Sequence, residues 1–144
     1  MESRNEMIYS EKSRILMIDE AQYILDFTRE LCKQHFNVEF YSMNHPRLGI
    51  QVAARRLPKL LISEIYFPKS EYFNGEYLIH AVRELCPGIK IMICSTIDDE
   101  PVITRFLEGI GVDAYLKKPF DLNTFFEKVS ELINEPYSVG GTTR

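Results

Sequence analysis

Three short, nearly unbroken apolar runs constrain this chain more than any other feature: "RILMI" (14–18), "LLISE" (60–64) and "KIMIC" (90–94). Runs of this length with apolar residues at consecutive positions suit strands buried on both faces, as in a parallel sheet covered by helices. Two weaker segments extend the set, the alternating "NVEFY" (37–41) as a half-buried edge strand and the short "AYL" (114–116).

Between the runs the apolar period changes to that of a helix. Ile24, Phe27, Thr28 and Leu31 repeat at helical spacing with Cys32 beside them. Pro46 to Leu57 reads as a weaker helix, in which Gly49 costs stability and which Pro58 stops. A long loop then leads through Asn74-Gly75 into a helix striped by Leu78, Ala81, Val82 and Leu85, which Pro87-Gly88 breaks. Ile103, Phe106, Leu107 and Ile110 form the next stripe, ended by Gly111. Asp121 caps a last helix striped by Leu122, Phe125, Phe126, Val129 and Ile133. Five strands alternating with five helices make a three-layer α/β sandwich over residues 13–135. Residues 1–12 read as a flexible N-terminal arm and 136–144 as a flexible C-terminal tail.

Composition narrows the function. The 144 residues carry a net charge of −4, with no basic cluster longer than the pairs Arg55-Arg56 and Lys117-Lys118. A nucleic-acid partner needs a concentrated basic face, so direct nucleic-acid binding is not expected. No apolar stretch approaches the roughly 18 residues of a membrane span, and the polar, acidic start is not a signal peptide. Cys32, Cys86 and Cys94 lack CxxC spacing and read as buried thiols in a reducing cytoplasm. His35, His45 and His80 form no ligand pair.

In an open parallel sheet, functional groups collect beyond the carboxyl ends of the strands. Here those ends deliver Asp19 and Glu20, then Glu64, then Ser95 and Thr96, then Lys118. Singly, each has an ordinary reading as a helix cap, a strand end or a solvated lysine. Together they form a different object. Three neighbouring acids repel unless a cation or a lysine joins them. Hard carboxylate oxygens suit Mg²⁺, which typically bridges to a phosphate, and a lysine with a hydroxyl supplies what a phosphoryl oxygen needs.

The segments "ILMIDE", "PKLLISEIYFP", "IMICST" and "GVDAYLKKPF" resemble, in order and separation, the receiver domain of two-component response regulators. The resemblance runs from about Ile15 to Ile133, and "YLKKPF" after Gly-x-Asp is its most specific piece. It implies a flavodoxin-like sheet of order 2-1-3-4-5 and a role in phosphorelay signalling. It also implies a weak Mg²⁺ site at Asp19, Glu20 and Glu64. Ser95 and Lys118 become the phosphoryl contacts, Tyr115 the aromatic that moves on activation, and Lys118-Pro119 a cis peptide. The one departure is that Glu64 stands where the family carries its phosphoacceptor aspartate. The loop after it, "IYFPKSEYFNG" (65–75), is also about three residues longer than the usual pattern. Glutamate keeps the charge but adds about 1.5 Å of reach, which misplaces a nucleophile that must lie in line with phosphorus.

Two readings follow. In one, the chain is an atypical, stand-alone receiver that signals by protein contact, with Glu64 a partial imitation of a phosphorylated aspartate. In the other it is a working receiver that accepts phosphate on Glu64. A small enzyme on the same layout is the poorer alternative, because no GxGxxG, GxxxxGK[ST] or GxSxG motif is present. No enzyme activity is expected beyond Mg²⁺-dependent self-phosphorylation and dephosphorylation. The expected partner is a sensor histidine kinase or a downstream protein, met at the face around 98–133, or a second copy of the chain. Tyr66, Phe67, Tyr72 and Phe73 in the long loop form either a second contact surface or a loop packed on its own side chains.

Overall fold

The computed structural model describes residues 12–139 and 142–143. Five parallel strands form the central sheet: β1 (Ser13–Ile18), β2 (Val38–Met43), β3 (Leu60–Ser63), β6 (Lys90–Ser95) and β7 (Ala114–Lys117). Between β3 and β6 the chain adds a two-stranded antiparallel hairpin, β4 (Tyr66–Phe67) and β5 (Phe73–Asn74). The sheet order is β2-β1-β3-β6-β7, the doubly wound order that the resemblance implies. Neighbouring strands are in parallel register, with Met17 against Ile62 and Ile62 against Met92. No helix among the described residues is long and apolar enough to cross a membrane.

Alternation along the buried runs assigns each side chain to a layer. Ile15, Met17, Leu60, Ile62, Met92 and Cys94 face helices α1 (Gln22–His35) and α5 (Leu122–Ile133). Leu16, Ile18, Leu61, Ile91 and Ile93 face α2 (Pro46–Arg56), α3 (Gly75–Leu85) and α4 (Glu100–Thr104), the last continuing as a π-helical turn over Arg105–Ile110. Each fully buried Leu or Ile contributes roughly 1.5–3 kcal/mol, so the three central runs supply much of what holds the layers together. Side-chain caps set the helix starts at Asn74 on the Glu76 and Tyr77 amides and at Asp121 on the Thr124 amide. Gly111, at φ 80°, ends the π turn in a left-handed conformation that glycine adopts freely.

Several local expectations change. On α1, Thr28 and Cys32 are buried and Ile24 and Leu31 pack partly against the core as expected, but Leu25 is the buried apolar residue and Phe27 is exposed. Glu64 lies one residue beyond β3 rather than inside it. Gly49 is required, because a Cβ there would lie 2.2 Å from Cδ1 of the buried Ile18. Within the stretch expected as a tail, Tyr137 packs among Phe36 and Phe126, and Ser138–Val139 pairs with Thr142–Thr143. The arm at residues 1–11 lies outside the described residues.

The long loop proves to be the hairpin. Phe67 and Phe73 are buried in the core with their rings edge to face at 6.4 Å, and Tyr66 and Tyr72 are exposed. Its neck closes where the Gly75 amide donates to the Ile65 carbonyl at 2.9 Å. A Cβ on residue 75 would meet that carbonyl oxygen at 2.4 Å, and backbone cannot yield as a side chain can. Gly75→Ala is therefore expected to destabilise the fold by roughly 1–3 kcal/mol, read as a lower urea midpoint with an unchanged slope.

Candidate functional site

The carboxyl ends of β1, β3, β6 and β7 open on one edge of the sheet, and the chain's reversal between β1 and β3 leaves a crevice there. Asp19 follows β1 and is only 4% exposed. One of its oxygens, Oδ1, accepts from the Ala21 amide at 2.9 Å and caps the turn into α1. The other, Oδ2, lies 2.6 Å from Lys118 Nζ. The same ammonium reaches Glu64 Oε1 at 3.1 Å. Glu64 Oε2 accepts from the amide of the next residue, Ile65, at 2.7 Å. The Glu64 side chain is 17% exposed, so the carboxylate sits at the floor of the crevice rather than outside it.

Lys118 is thus a single cation held between two carboxylates. Burial by itself would lower its pKa, but the hydrogen bond to Asp19 and the charge of Glu64 outweigh burial and raise it above the ordinary lysine value. A buried anion and a largely buried one this close are tolerable only because the ammonium joins them. The Lys118 amide donates to the Ser95 carbonyl at 2.7 Å, and the Lys118-Pro119 peptide that follows is cis.

The other expected residues fall differently. Ser95 is 0% exposed, and its hydroxyl accepts from the Ile97 amide at 3.2 Å. The half-buried Tyr115 donates its hydroxyl to the Ile97 carbonyl at 2.9 Å, which ties β7 to the loop before α4. Burial pushes the Tyr115 phenol up, with the Ser95 hydroxyl pulling the other way. Thr96 is exposed and lines a mainly apolar groove of about 360 Å³ with Tyr23, Phe27, Phe120 and Leu122 beside Lys118. Burial pushes the thiols of Cys32 and Cys94 up to about 12, which leaves them inert.

Glu20 leaves the group. Its carboxylate accepts from the Lys69 amide at 3.0 Å and from the Ser70 hydroxyl at 2.7 Å, both in the 3₁₀ turn at the tip of the β4–β5 hairpin. Asp19, Glu20 and Glu64 have the oxygen chemistry that suits Mg²⁺. As arranged they do not fit it: among the described residues no three acidic, histidine or cysteine side chains are placed to share a metal ion. Sequence reasoning missed Ser70 and the Lys69 amide. The only signal was the extra length of the segment that carries them.

This site falls within a known family. Residues 15–130 match the response regulator receiver domain, and the chain belongs to that family. It is 25% identical over 125 residues to histidine kinase P4 of Formosa agariphila, covering 85% of this chain and 9% of that protein. It is likewise 25% identical over 129 residues to the transcriptional regulatory protein DegU of Brevibacillus brevis, covering 87% of this chain and 52% of that one. The chain therefore spans a fraction of either relative. Its fold is that of the signal receiver domain of an HD domain-containing protein from Pseudomonas fluorescens Pf-5, with a TM-score of 0.76, 18% identity and coverage of 86% and 88% of the two chains. The chain is a receiver domain of the two-component signalling type.

Removing the shared cation leaves two carboxylates facing each other. Lys118→Met is expected to cost about 2–4 kcal/mol at neutral pH. Because the folded-state pKa of Lys118 is raised, its contribution is full below the unfolded lysine value of about 10.4 and is lost as the pH climbs through the folded value. Urea unfolding of wild type and Lys118→Met should therefore differ most at neutral pH and converge above the folded lysine pKa.

Proposed function

We propose that this receiver signals by protein contact and is a poor phosphate acceptor, with Glu64 in place of the family's aspartate. The observation that carries the reading is the engagement of both Glu64 oxygens, one by Lys118 and one by the Ile65 amide. A carboxylate nucleophile needs an oxygen free to approach phosphorus in line, and the longer side chain has spent both on the protein. Receiver domains are generally signalling modules rather than enzymes, and they commonly bind Mg²⁺ at the phosphorylation site. In this chain that cation site is a weak one, since Glu20 has to leave Lys69 and Ser70 before three carboxylates can share an ion.

Contact runs through the face at 98–133, where Tyr115 ties β7 to the loop before α4 and one Arg105 nitrogen, in the π turn, donates to both Glu76 oxygens of α3 at 2.8 and 2.9 Å. The partner is a sensor histidine kinase, a downstream protein or a second copy of this chain. The similarity to a histidine kinase and to a transcriptional regulator supports a place in that kind of pathway. The fixed charge of Glu64 imitates a phosphorylated aspartate only in part. It has one unit of charge, lacks the phosphoryl oxygens and shares its one ammonium partner, Lys118, with Asp19.

Incubation with Mg²⁺ and a small acyl-phosphate donor, followed by mass spectrometry that locates the modified residue, separates the readings. Wild type is expected to carry little phosphate on residue 64, and Glu64→Asp to carry at least about tenfold more. Rapid, equal labelling of both at residue 64 would instead make Glu64 a working acceptor.

A further inference from the structure

The end of the sheet opposite the crevice carries the other sign of charge. The sequence shows its basic residues singly or as the pair Arg55-Arg56, but the fold gathers them. Leu57, left-handed at φ 50°, ends α2, and the turn through Pro58 lays Lys59 against β1, where its amide donates to the Arg14 carbonyl at 2.8 Å. Lys12, Ser13, Arg14, Leu57 and Lys59 then line a cavity of about 220 Å³.

These cations are placed by groups that leave their charge in excess. Lys59 Nζ donates at 2.7 Å to the Ile133 carbonyl at the end of α5, and Arg14 Nη1 at 3.0 Å to the Arg56 carbonyl at the end of α2. Cations suit helix carboxyl ends, but both acceptors are neutral, and an ammonium and a guanidinium carry more donors than these bonds employ. Glu39 accepts from Arg14 Nε and from the Tyr41 hydroxyl, the Arg56 guanidinium lies over the Tyr41 ring, and Glu135 accepts from Ser13. Among the described residues, four cations (Lys12, Arg14, Arg56 and Lys59) thus stand against two carboxylates, an excess of two charges in a chain of net charge −4.

We propose that this cavity binds the phosphate group of a phosphomonoester. Its excess charge matches a dianion, and donors reach it from two chain segments, before and within β1 and before β3. A carboxylate offers fewer oxygens and half the charge. The cavity is smaller than the roughly 300–1,000 Å³ of sites that take drug-sized ligands, so it suits the phosphate itself, with the 58% exposed Leu57 as an apolar rim for the rest of the ester. The site lies at the far ends of β1 and β3 from Glu64 and does not depend on whether Glu64 accepts phosphate.

The test follows the amide resonances of wild type, Lys12→Ala and Lys59→Met during titration with inorganic phosphate, diphosphate and acetate. It is run at about pH 7.5, where phosphate is largely dianionic, and at about 0.15 M ionic strength, which screens distant charges. Phosphate and diphosphate should move the Ser13, Arg14 and Lys59 amides to saturation and bind wild type at least about fivefold more tightly than acetate. Each variant, its folding checked by its urea midpoint, should weaken phosphate about threefold or more. Shifts confined to Ser95, Thr96 and Lys118 would put the anion in the crevice and overturn the proposal, as would equal, unsaturated shifts with phosphate and acetate. Vesicles containing phosphatidic acid separate the sources of the group. Co-sedimentation that Lys12→Ala abolishes makes it a lipid headgroup, and binding of diphosphate without co-sedimentation makes it a soluble phosphate. A single-stranded DNA oligomer that binds this end more tightly than diphosphate would overturn the cavity in favour of a nucleic-acid strip.

Discussion

One ammonium group organises this end of the molecule. Lys118 Nζ lies 2.6 Å from Asp19 and 3.1 Å from Glu64, so it joins the ends of β1, β3 and β7 across the sheet. The strands bring the three side chains together by burying their apolar runs, and the resulting concentration of negative charge requires a cation in the crevice. The ion group is thus a consequence of hydrophobic assembly and a condition on it. Ser95, Ile97 and Tyr115 are arranged around the same point by backbone and hydroxyl bonds of their own.

The glutamate at position 64 matters through length as much as charge. A shorter side chain at the strand end would hold its carboxylate nearer its own backbone, whereas the extra methylene lets Glu64 curl back to the Ile65 amide while its second oxygen meets Lys118. The carboxylate keeps its charge in the crevice, and both of its oxygens are hydrogen-bonded to the protein. Beside it, the hairpin takes Glu20 out of the acidic group. Two separate local features therefore act in the same direction, towards a receiver whose acidic pocket is satisfied by the protein itself.

The parts of this structure written in short-range pattern were legible in the sequence. Doubly buried strands leave runs such as "RILMI" and "KIMIC" that no surface element would carry, and the strand-end residues follow from topology. Helix phase was less readable. Around α1 both Leu25 and Phe27 are apolar, and only tertiary packing decides that Leu25 turns inward while Phe27 stays exposed. Gly49 read as a weakness because its reason is a neighbour 31 positions earlier, the side chain of Ile18, which fills the space a Cβ would need. Glu20 was placed with the other acids because sequence shows which residues arrive at a strand end, not which way a carboxylate turns. Its partners sit 49 and 50 positions away, in a segment with no motif of its own.

The most direct measurement of the account is a double-mutant cycle between Lys118→Met and Glu64→Gln, with unfolding free energies taken in urea at neutral pH. If the ammonium and the glutamate form the joint described here, the two substitutions are strongly non-additive, with a coupling of roughly 1–3 kcal/mol. Glu64→Gln should then cost much less in the Lys118→Met background than in wild type. Additivity within about 0.5 kcal/mol would contradict the account, because it would mean that Lys118 and Glu64 are neighbours in space without sharing a charge.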